Sequence, residues 1–314
     1  MKYNNVTIKG TSSYLPDNVL TNEKISLRVD TTDEWIFNKL GIKERRISSA
    51  HDTVSEMGYK AAALVLDDSG MSKEDIDMII VATSSPEKIS PSTACTIHKK
   101  LGITRDIPSF DINAVCSGFV YAITLGSSLI SSGAFKNIMV IATESYSTHT
   151  DFGDQHSVFF GDGAGAVIIG ESEKGWIYSK IKSNGSGTGM TGFVMPLDSP
   201  FIMRGKEVWD QAIKVLPESI NEVLEETDLS IDDISMVVPH QPSINILKII
   251  AEKNNIPFSK VKTVMDRYAN IAGASIPVAL DESIKNGEIK KGEKILLTAI
   301  GSGWTWGSLI VNYE

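Results

Sequence analysis

Ser72-Lys-Glu-Asp-Ile-Asp-Met-Ile-Ile-Val81 returns 158 residues later (230 minus 72) as Ser230-Ile-Asp-Asp-Ile-Ser-Met-Val-Val-Pro239. The apolar run from Ile76 to Thr83 suits a strand buried on both faces. The helical patterns before and after each copy also correspond. So do Lys136-Asn-Ile-Met-Val-Ile-Ala-Thr143 and Glu293-Lys-Ile-Leu-Leu-Thr-Ala299, at nearly the same spacing. Two β/α halves related in this way imply a duplicated α/β fold with a pseudo-two-fold axis. Halves of 1–172 and 173–314 are expected, joined in the Gly- and Ser-dense stretch near 171–192, which reads as loop.

Working outward, Thr21-Asn-Glu and Thr31-Thr-Asp-Glu read as helix starts with acidic first turns. Thr53 to Ser69 is helical and stops at Gly70, Ser92 to Leu101 is helical, and Val6 to Thr11 and Ile138 to Ala142 are strands. With 314 residues, 42% hydrophobic and 22% charged, the chain has enough apolar material for a large core. Its start, Met-Lys-Tyr-Asn-Asn, has no apolar h-region and no run reaches membrane length, so a cytoplasmic protein is expected. A net charge of −9 argues against nucleic acid as partner. Two cysteines, Cys95 and Cys116, make no disulfide framework, and no Cys or His pair has metal-ligand spacing. Cys95 reads as a buried small hydrophobe.

Cys116 is different. The apolar stretch ending at Val115 is followed by Ser117-Gly118, which open a helical pattern reaching Ser132. A sulfur at such a strand-to-helix junction faces unpaired backbone N–H groups and the positive end of a helix dipole, which favour a thiolate. Under the duplication the Cys116 region corresponds to that of Asn270, and Thr83 corresponds to His240. His240 closes a strand before Gln-Pro-Ser, at the end where β/α folds place ligands, although a hydrogen-bonded structural histidine fits there too. Asn270, before a small-residue helix, reads equally as an N-cap or turn residue. Together the three make a plausible nucleophile, acid/base or oxyanion donor, and second oxyanion donor. Gly301-Ser-Gly-Trp-Thr-Trp-Gly307 is either a tight turn between strands or a place where backbone N–H groups approach a ligand. Gly161-Asp-Gly-Ala-Gly is followed by a strand pattern, so it is not a dinucleotide fingerprint.

Taken with Thr31-Thr-Asp-Glu-Trp-Ile, Gly41-Ile-Lys-Glu-Arg-Arg, Pro91-Ser-Thr-Ala-Cys, Asp111-Ile-Asn-Ala-Val-Cys-Ser-Gly-Phe, Phe160-Gly-Asp-Gly-Ala-Gly-Ala, Val238-Pro-His-Gln and Tyr268-Ala-Asn, these motifs span essentially the whole chain. The sequence resembles β-ketoacyl-acyl carrier protein synthase III, of the thiolase-like condensing enzymes. The resemblance implies a duplicated thiolase-like fold, two mixed five-stranded sheets in an α-β-α-β-α layering. Thiolases themselves need a second cysteine near the C-terminus, and none follows Cys116.

The resemblance implies that Cys116 takes an acyl group from a coenzyme A thioester, its pKa lowered by the helix end. The backbone N–H groups of Cys116 and Ser302 would hold the oxyanion. Loss of carbon dioxide from a malonyl thioester would give an enolate held by His240 and Asn270, whose attack on the acyl-cysteine yields a β-ketoacyl product. It implies no tightly bound cofactor and no metal, a homodimer, acyl carrier protein as the carrier of the extender, and a coenzyme A tunnel lined by Trp35, Gly205 and Trp209.

The sequence departs from the family where substrate is recognised. Family positions usually Asn and Arg read Ser243 and Asn245, two usual arginines read Gln155 and Lys39, and a usual lysine reads Asp210. Losing guanidinium forks weakens phosphate recognition. Arg204, Lys206, Lys248 and Lys253 are candidates for a shifted basic patch facing the carrier, or the extender is carried by coenzyme A instead. Ser90 stands where a bulky Phe often closes the acyl pocket across the dimer, and Ile300 replaces a common Phe. Both suggest a primer larger than acetyl, as in secondary metabolism. Two other readings compete on the same scaffold: an acyltransferase that works without decarboxylation, and a non-enzymatic partner subunit.

Overall fold

The computed structural model describes all residues from Met1 to Glu314. Eight main strands form one hydrogen-bonded network: β1 (Lys2–Tyr14), β2 (Met78–Ala82), β3 (Ser109–Ile112), β4 (Asn137–Ser145), β5 (Asp162–Ser183), β6 (Met236–Pro239), β7 (Lys294–Gly301) and β8 (Thr305–Asn312). The first half is a five-stranded sheet ordered β3-β2-β4-β5-β1, with β2 parallel to β3 and β4, and β5 antiparallel to β4 and β1. The second runs β6-β7-β8-β5, and the isolated parallel bridge Val237↔Val261 takes the outer place that β3 holds in the first. Both sheets are mixed.

The seven main helices are α1 (Asp33–Leu40), α2 (Val54–Ser69), α3 (Thr93–Leu101), α4 (Gly118–Ser131), α5 (Gly205–Glu225), α6 (Ile244–Lys253) and α7 (Ser275–Lys285). Thr53, Ser92 and Ser243 cap α2, α3 and α6 by accepting a backbone N–H three residues on, and Gly70 and Gly102 end α2 and α3 in left-handed conformations.

Strand alternation sorts the core into layers. Ile79 and Val81 of β2 pack outward with Met57, Ala61 and Val65 of α2 and Ile97 of α3. Ile80 and Ala82 face inward with Phe119 and Ile123 of α4, Ile276 and Leu280 of α7, and Leu297 and Ala299 of β7. On the far side Leu296 and Ile310 meet Val215 and Ile220 of α5 and Leu247 of α6. The order is therefore helices, sheet, the α4/α7 pair, sheet, helices, as expected for the thiolase-like fold.

Two sequence expectations change. The stretch 171–192 does not begin as a loop: β5 continues through the 172/173 boundary to Ser183 and belongs to both halves. Its exposed Glu171, Glu173 and Lys174 resemble loop residues because the ladder bulges there, the register with β1 jumping from Asn4↔Trp176 to Val6↔Glu171. Cys95, expected to be buried, is exposed on α3 beside the outer strand β3 and donates to Ser109 O at 3.4 Å.

The central layer leaves no spare volume where α7 crosses β5. A Cβ on Gly165 would lie 2.7 Å from Pro277 Cβ and 2.9 Å from its Cγ. Gly165→Val is expected to destabilise the protein by about 2–3 kcal/mol through overpacking, read as a lower urea midpoint at unchanged m-value.

Candidate active site

Cys116 lies in a single 3-10 turn, Val115–Ser117, between β3 and α4. Its counterpart between the short helix Met265–Tyr268 and α7 is the 3-10 turn Ala272–Ala274. Both open on a non-glycine residue in the left-handed region, Val115 at φ 49° and Ala272 at φ 46°. The two turns touch: a Cβ on Gly273 would stand 3.3 Å from Val115 O. The β7–β8 hairpin closes over them. A Cβ on Gly301 would meet Ala114 O at 2.6 Å and the Cys116 nitrogen at 3.0 Å, so only glycine allows the hairpin this close. Ser117 Oγ donates to Ala114 O and lies 2.8 Å from Thr305 Oγ1, while Ser302 Oγ donates to Phe193 O. These contacts fix the hairpin beside the sulfur, with Ser302 at the cavity wall.

A cavity of about 480 Å³ runs from the surface to Cys116. It brings Cys116, His240, Asn270 and Ser302 together, and its walls include Trp35, Lys39, Gly205, Trp209, Ser243, Asn245 and Ile300. Gln155 lines an adjoining mouth with Trp35, Gly205 and Phe159. Ser90 lies elsewhere, exposed on the segment before α3.

His240 is buried, its backbone N–H bonded to Thr298 O at 2.8 Å and its Nδ1 without a partner. Burial lowers its pKa to about 4, against a smaller opposing pull from the Ala272 backbone, so the imidazole is neutral. Gln241 holds the turn after it, donating to Pro239 O and Lys262 O and accepting from Val264 N–H. Asn270 Oδ1 accepts from Ala272 N–H at 2.8 Å, which leaves the amide Nδ2 as the donor available to the cavity.

The electrostatics of Cys116 differ from the sequence expectation. The helix-end pull is outweighed: burial pushes the thiol's pKa up, and the nearby Glu144 carboxylate pushes it further. Its backbone N–H and the Tyr146 hydroxyl pull weakly the other way. The thiol is open to the cavity on one side and enclosed by protein on the others.

Behind the sulfur is an aromatic wall that sequence reading did not find. Tyr146, Phe160, Phe193 and Phe201 interlock, with centroids 4.8 Å apart for Tyr146–Phe160, 5.0 Å for Phe160–Phe201 and 5.3 Å for Phe193–Phe201. They come from three separate segments, so no local spacing announces them.

Residues 110–185 match the family described as 3-oxoacyl-[acyl-carrier-protein] synthase III, and residues 224–313 match its C-terminal domain. A β-ketoacyl-[acyl-carrier-protein] synthase III of Clostridium acetobutylicum is 41% identical, covering 99% of both chains. The chain belongs to the synthase III family. The crystal structure of the Aquifex aeolicus 3-oxoacyl-[acyl-carrier-protein] synthase III superposes with a TM-score of 0.94 at 41% identity, covering 98% of this chain and all of that one. The priming β-ketosynthase of the R1128 polyketide pathway superposes at 0.92 with 27% identity, covering 98% and 96% of the two chains.

The mouth of this synthase III cavity explains part of the departures. Ser243 Oγ is used as the α6 cap, Asn245 Nδ2 donates to Lys39 O at 2.9 Å, and Asp210 pairs with Lys206. Of the proposed basic patch, Arg204 pairs with Glu207 and Lys253 donates to Ile213 O. Lys248 is exposed. No group of three or more potential metal ligands gathers anywhere, and no helix is long and apolar enough to cross a membrane.

His240 gives the fold a pH signature of known sign. Its folded pKa of about 4 lies below the free value of 6.5, so the unfolded chain binds this proton first. Stability should rise with pH between those values and level off above them, a window worth about 3 kcal/mol. Urea unfolding across the window should show this rise in the wild type and a smaller one in His240→Asn.

Proposed function

We propose that the chain performs decarboxylative Claisen condensation, loading an acyl group from coenzyme A onto Cys116 and extending it with a malonyl thioester to a β-ketoacyl thioester. The observation that carries this reading is the convergence of the Cys116 thiol, a neutral buried His240 and a cavity-facing Asn270 amide at the end of one tunnel. In the first half-reaction the sulfur attacks the thioester carbonyl, and the backbone N–H groups of Cys116 and Ser302 receive the oxyanion. In the second, decarboxylation leaves an enolate, and two neutral donors suit it because they stabilise its oxygen without protonating its carbon. The carbon then attacks the acyl-cysteine.

The relatives bear names that specify an acyl carrier protein, and that partner is proposed here for the malonyl group. The half-exposed Trp35 and the partly buried Trp209 flank the mouth and are assigned to coenzyme A. A homodimer is proposed through β3, whose outer edge has no strand partner in the chain and which lies beside exposed Cys95 of α3. Cytoplasmic location and initiation of fatty acid or polyketide chains follow from the same reading.

Primer length is assigned to the aromatic wall. Phe193 and Phe160 line the cavity beside Cys116, while Ser90 lines neither it nor its adjoining mouth and bears on primer length only across the proposed dimer, where its small side chain leaves room for a primer larger than acetyl. Intact-mass measurement of Cys116 acylation across a series of acyl-CoAs reads the length accepted, and Phe193→Ala should raise octanoyl relative to acetyl loading by about 10-fold or more, as removing a large side chain from an apolar pocket allows. An unchanged ratio in Phe193→Ala would remove the wall from this role.

Condensation itself is tested by carbon dioxide release from malonyl thioester. Asn270→Ala should lose about 10²–10³ in condensation while still accepting the acyl group on Cys116. Undiminished product in that variant would favour acyl transfer without decarboxylation.

A further inference from the structure

Under the condensing reading, two backbone N–H groups receive the thioester oxyanion, and they belong to segments 186 residues apart (302 minus 116). Cys116 sits in the 3-10 turn Val115–Ser117, and Ser302 opens the tight turn between β7 and β8. Neither N–H is given to a carbonyl of the chain. A donor serves an oxyanion only when it lies about 2.7–3.1 Å from that oxygen. The two turns must therefore be held at one spacing.

Sterics set the near limit. A Cβ on Gly301 would stand 2.6 Å from Ala114 O and 3.0 Å from the Cys116 nitrogen, so the hairpin is already in contact with the turn. Contact alone does not keep the two from drifting apart. That side of the restraint comes from a pair of hydroxyls. Ser117 Oγ lies 2.8 Å from Ala114 O and 2.8 Å from Thr305 Oγ1. Thr305 Oγ1 lies 3.0 Å from Ala114 O and 3.2 Å from Ser302 O. Two hydroxyl protons are thus shared among the Ala114 and Ser302 carbonyls and the hydroxyl oxygens themselves. No other hydrogen bond joins residues 114–117 to residues 301–305. The missing side chain at Gly301 also makes room for the brace, since a Cβ there would lie 3.0 Å from Thr305 Oγ1.

We propose that Thr305 and Ser117 are positioning residues that brace the oxyanion site, holding the Ser302 N–H at its working distance from the Cys116 N–H. The inference rests on the condensing function above. Neither residue lines the cavity, and Ser117 is fully buried, so both act through the turns and not on the substrate.

The step they serve exchanges one thioester for another. A sulfur electron pair forms the bond to the acyl carbon, and the carbonyl π pair moves onto oxygen. On collapse that pair returns, and the bond to the coenzyme A sulfur breaks with its electrons leaving on that sulfur. Negative charge rests on the oxygen only between these events, and there the spacing of the two donors counts. Alkylation of the same sulfur by iodoacetamide is a displacement at saturated carbon that expels iodide. It puts no charge on oxygen and so does not call on the brace.

The test is single-turnover acylation of Cys116 by acetyl-CoA, read by quenched intact mass, in wild type, Thr305→Val, Thr305→Ser and Ser117→Ala. Valine keeps the shape of threonine and suits a strand, so the change isolates the hydroxyl. Thr305→Val should acylate about 30-fold more slowly at saturating thioester, with the half-saturating concentration within about threefold of wild type. Thr305→Ser keeps the hydroxyl and should stay within about threefold, while Ser117→Ala should fall about 10-fold. Iodoacetamide alkylation of Cys116 should remain within about threefold in every variant, a separation that damage to the whole site would not produce. The brace is overturned if Thr305→Val acylates like wild type, if Thr305→Ser is as slow as Thr305→Val, or if alkylation falls in step with acylation. Should Thr305→Val not fold, Ser117→Ala decides by the same comparison. A wild type that takes no acetyl group from acetyl-CoA sinks the condensing reading instead. The brace is then judged by acetylation of Cys116 with p-nitrophenyl acetate, whose tetrahedral intermediate carries the same oxyanion. Equal rates in wild type and the deciding variant, zero included, overturn it.

Discussion

The site depends on two backbone turns meeting where the halves of the chain face each other. Val115 and Ala272 both hold left-handed conformations that cost a residue with a Cβ about 1–3 kcal/mol each. Neither turn could keep that geometry alone. Each is clamped between buried elements, and α4 and α7, the helices that follow, share one apolar layer between the sheets. The layer that stabilises the fold thus also holds the Cys116 turn against the turn that follows Asn270. The β7–β8 hairpin adds the third side, and Gly301 is the residue that lets it close.

That geometry produces an electrostatic setting with few charges and many oriented dipoles. His240 is neutral because it is buried, and Asn270 is oriented because its oxygen is already bonded to Ala272 N–H. Fixed neutral donors can stabilise an oxygen anion that forms during the reaction without reorganising water around it. A helix N-terminus contributes roughly half a charge and is worth at most about 2 kcal/mol. Burial beside a carboxylate opposes it at Cys116, pushing the thiol up.

The duplicated architecture was legible because it is written in local periodicity. The repeat of Ser72–Val81 at Ser230–Pro239 needs no tertiary information, and the caps at Thr53, Ser92, Gly70 and Gly102 act within one helical turn. Cys116, His240 and Asn270 could be grouped because the repeat offset maps onto an axis. Whatever depended on contacts from distant segments was not legible. Polar residues at 171–174 look like a loop, yet β1 pairs with β5 on both sides of the bulge, with β8 joining beyond it, and keeps β5 one strand. The direction of the Cys116 shift needed the burial that distant segments supply, with Glu144 of another strand adding to it, and the aromatic wall needed Phe193 and Phe201 from the segment after β5.

At the tunnel mouth, polar groups that might meet a phosphate are already engaged. Ser243 caps a helix, Asn245 is bonded across to the end of α1, and Asp210 offsets Lys206 one turn away. Arg204 is likewise offset by Glu207. Exposed pairs of this kind are worth about 1 kcal/mol or less, so an incoming phosphate can compete for their cations. What it cannot obtain from Ser243, Asn245 or Gln155 is a guanidinium fork. On the function proposed above, recognition of a thioester carrier would shift from charge toward surface: the Trp35 and Trp209 indoles and the apolar lining that continues inward through Val208 and Ala212. Binding built on apolar area resists salt better than binding built on phosphate contacts. It also discriminates less between carriers, and on the same proposal the selection of substrate would fall deeper in the tunnel, at the wall behind Cys116.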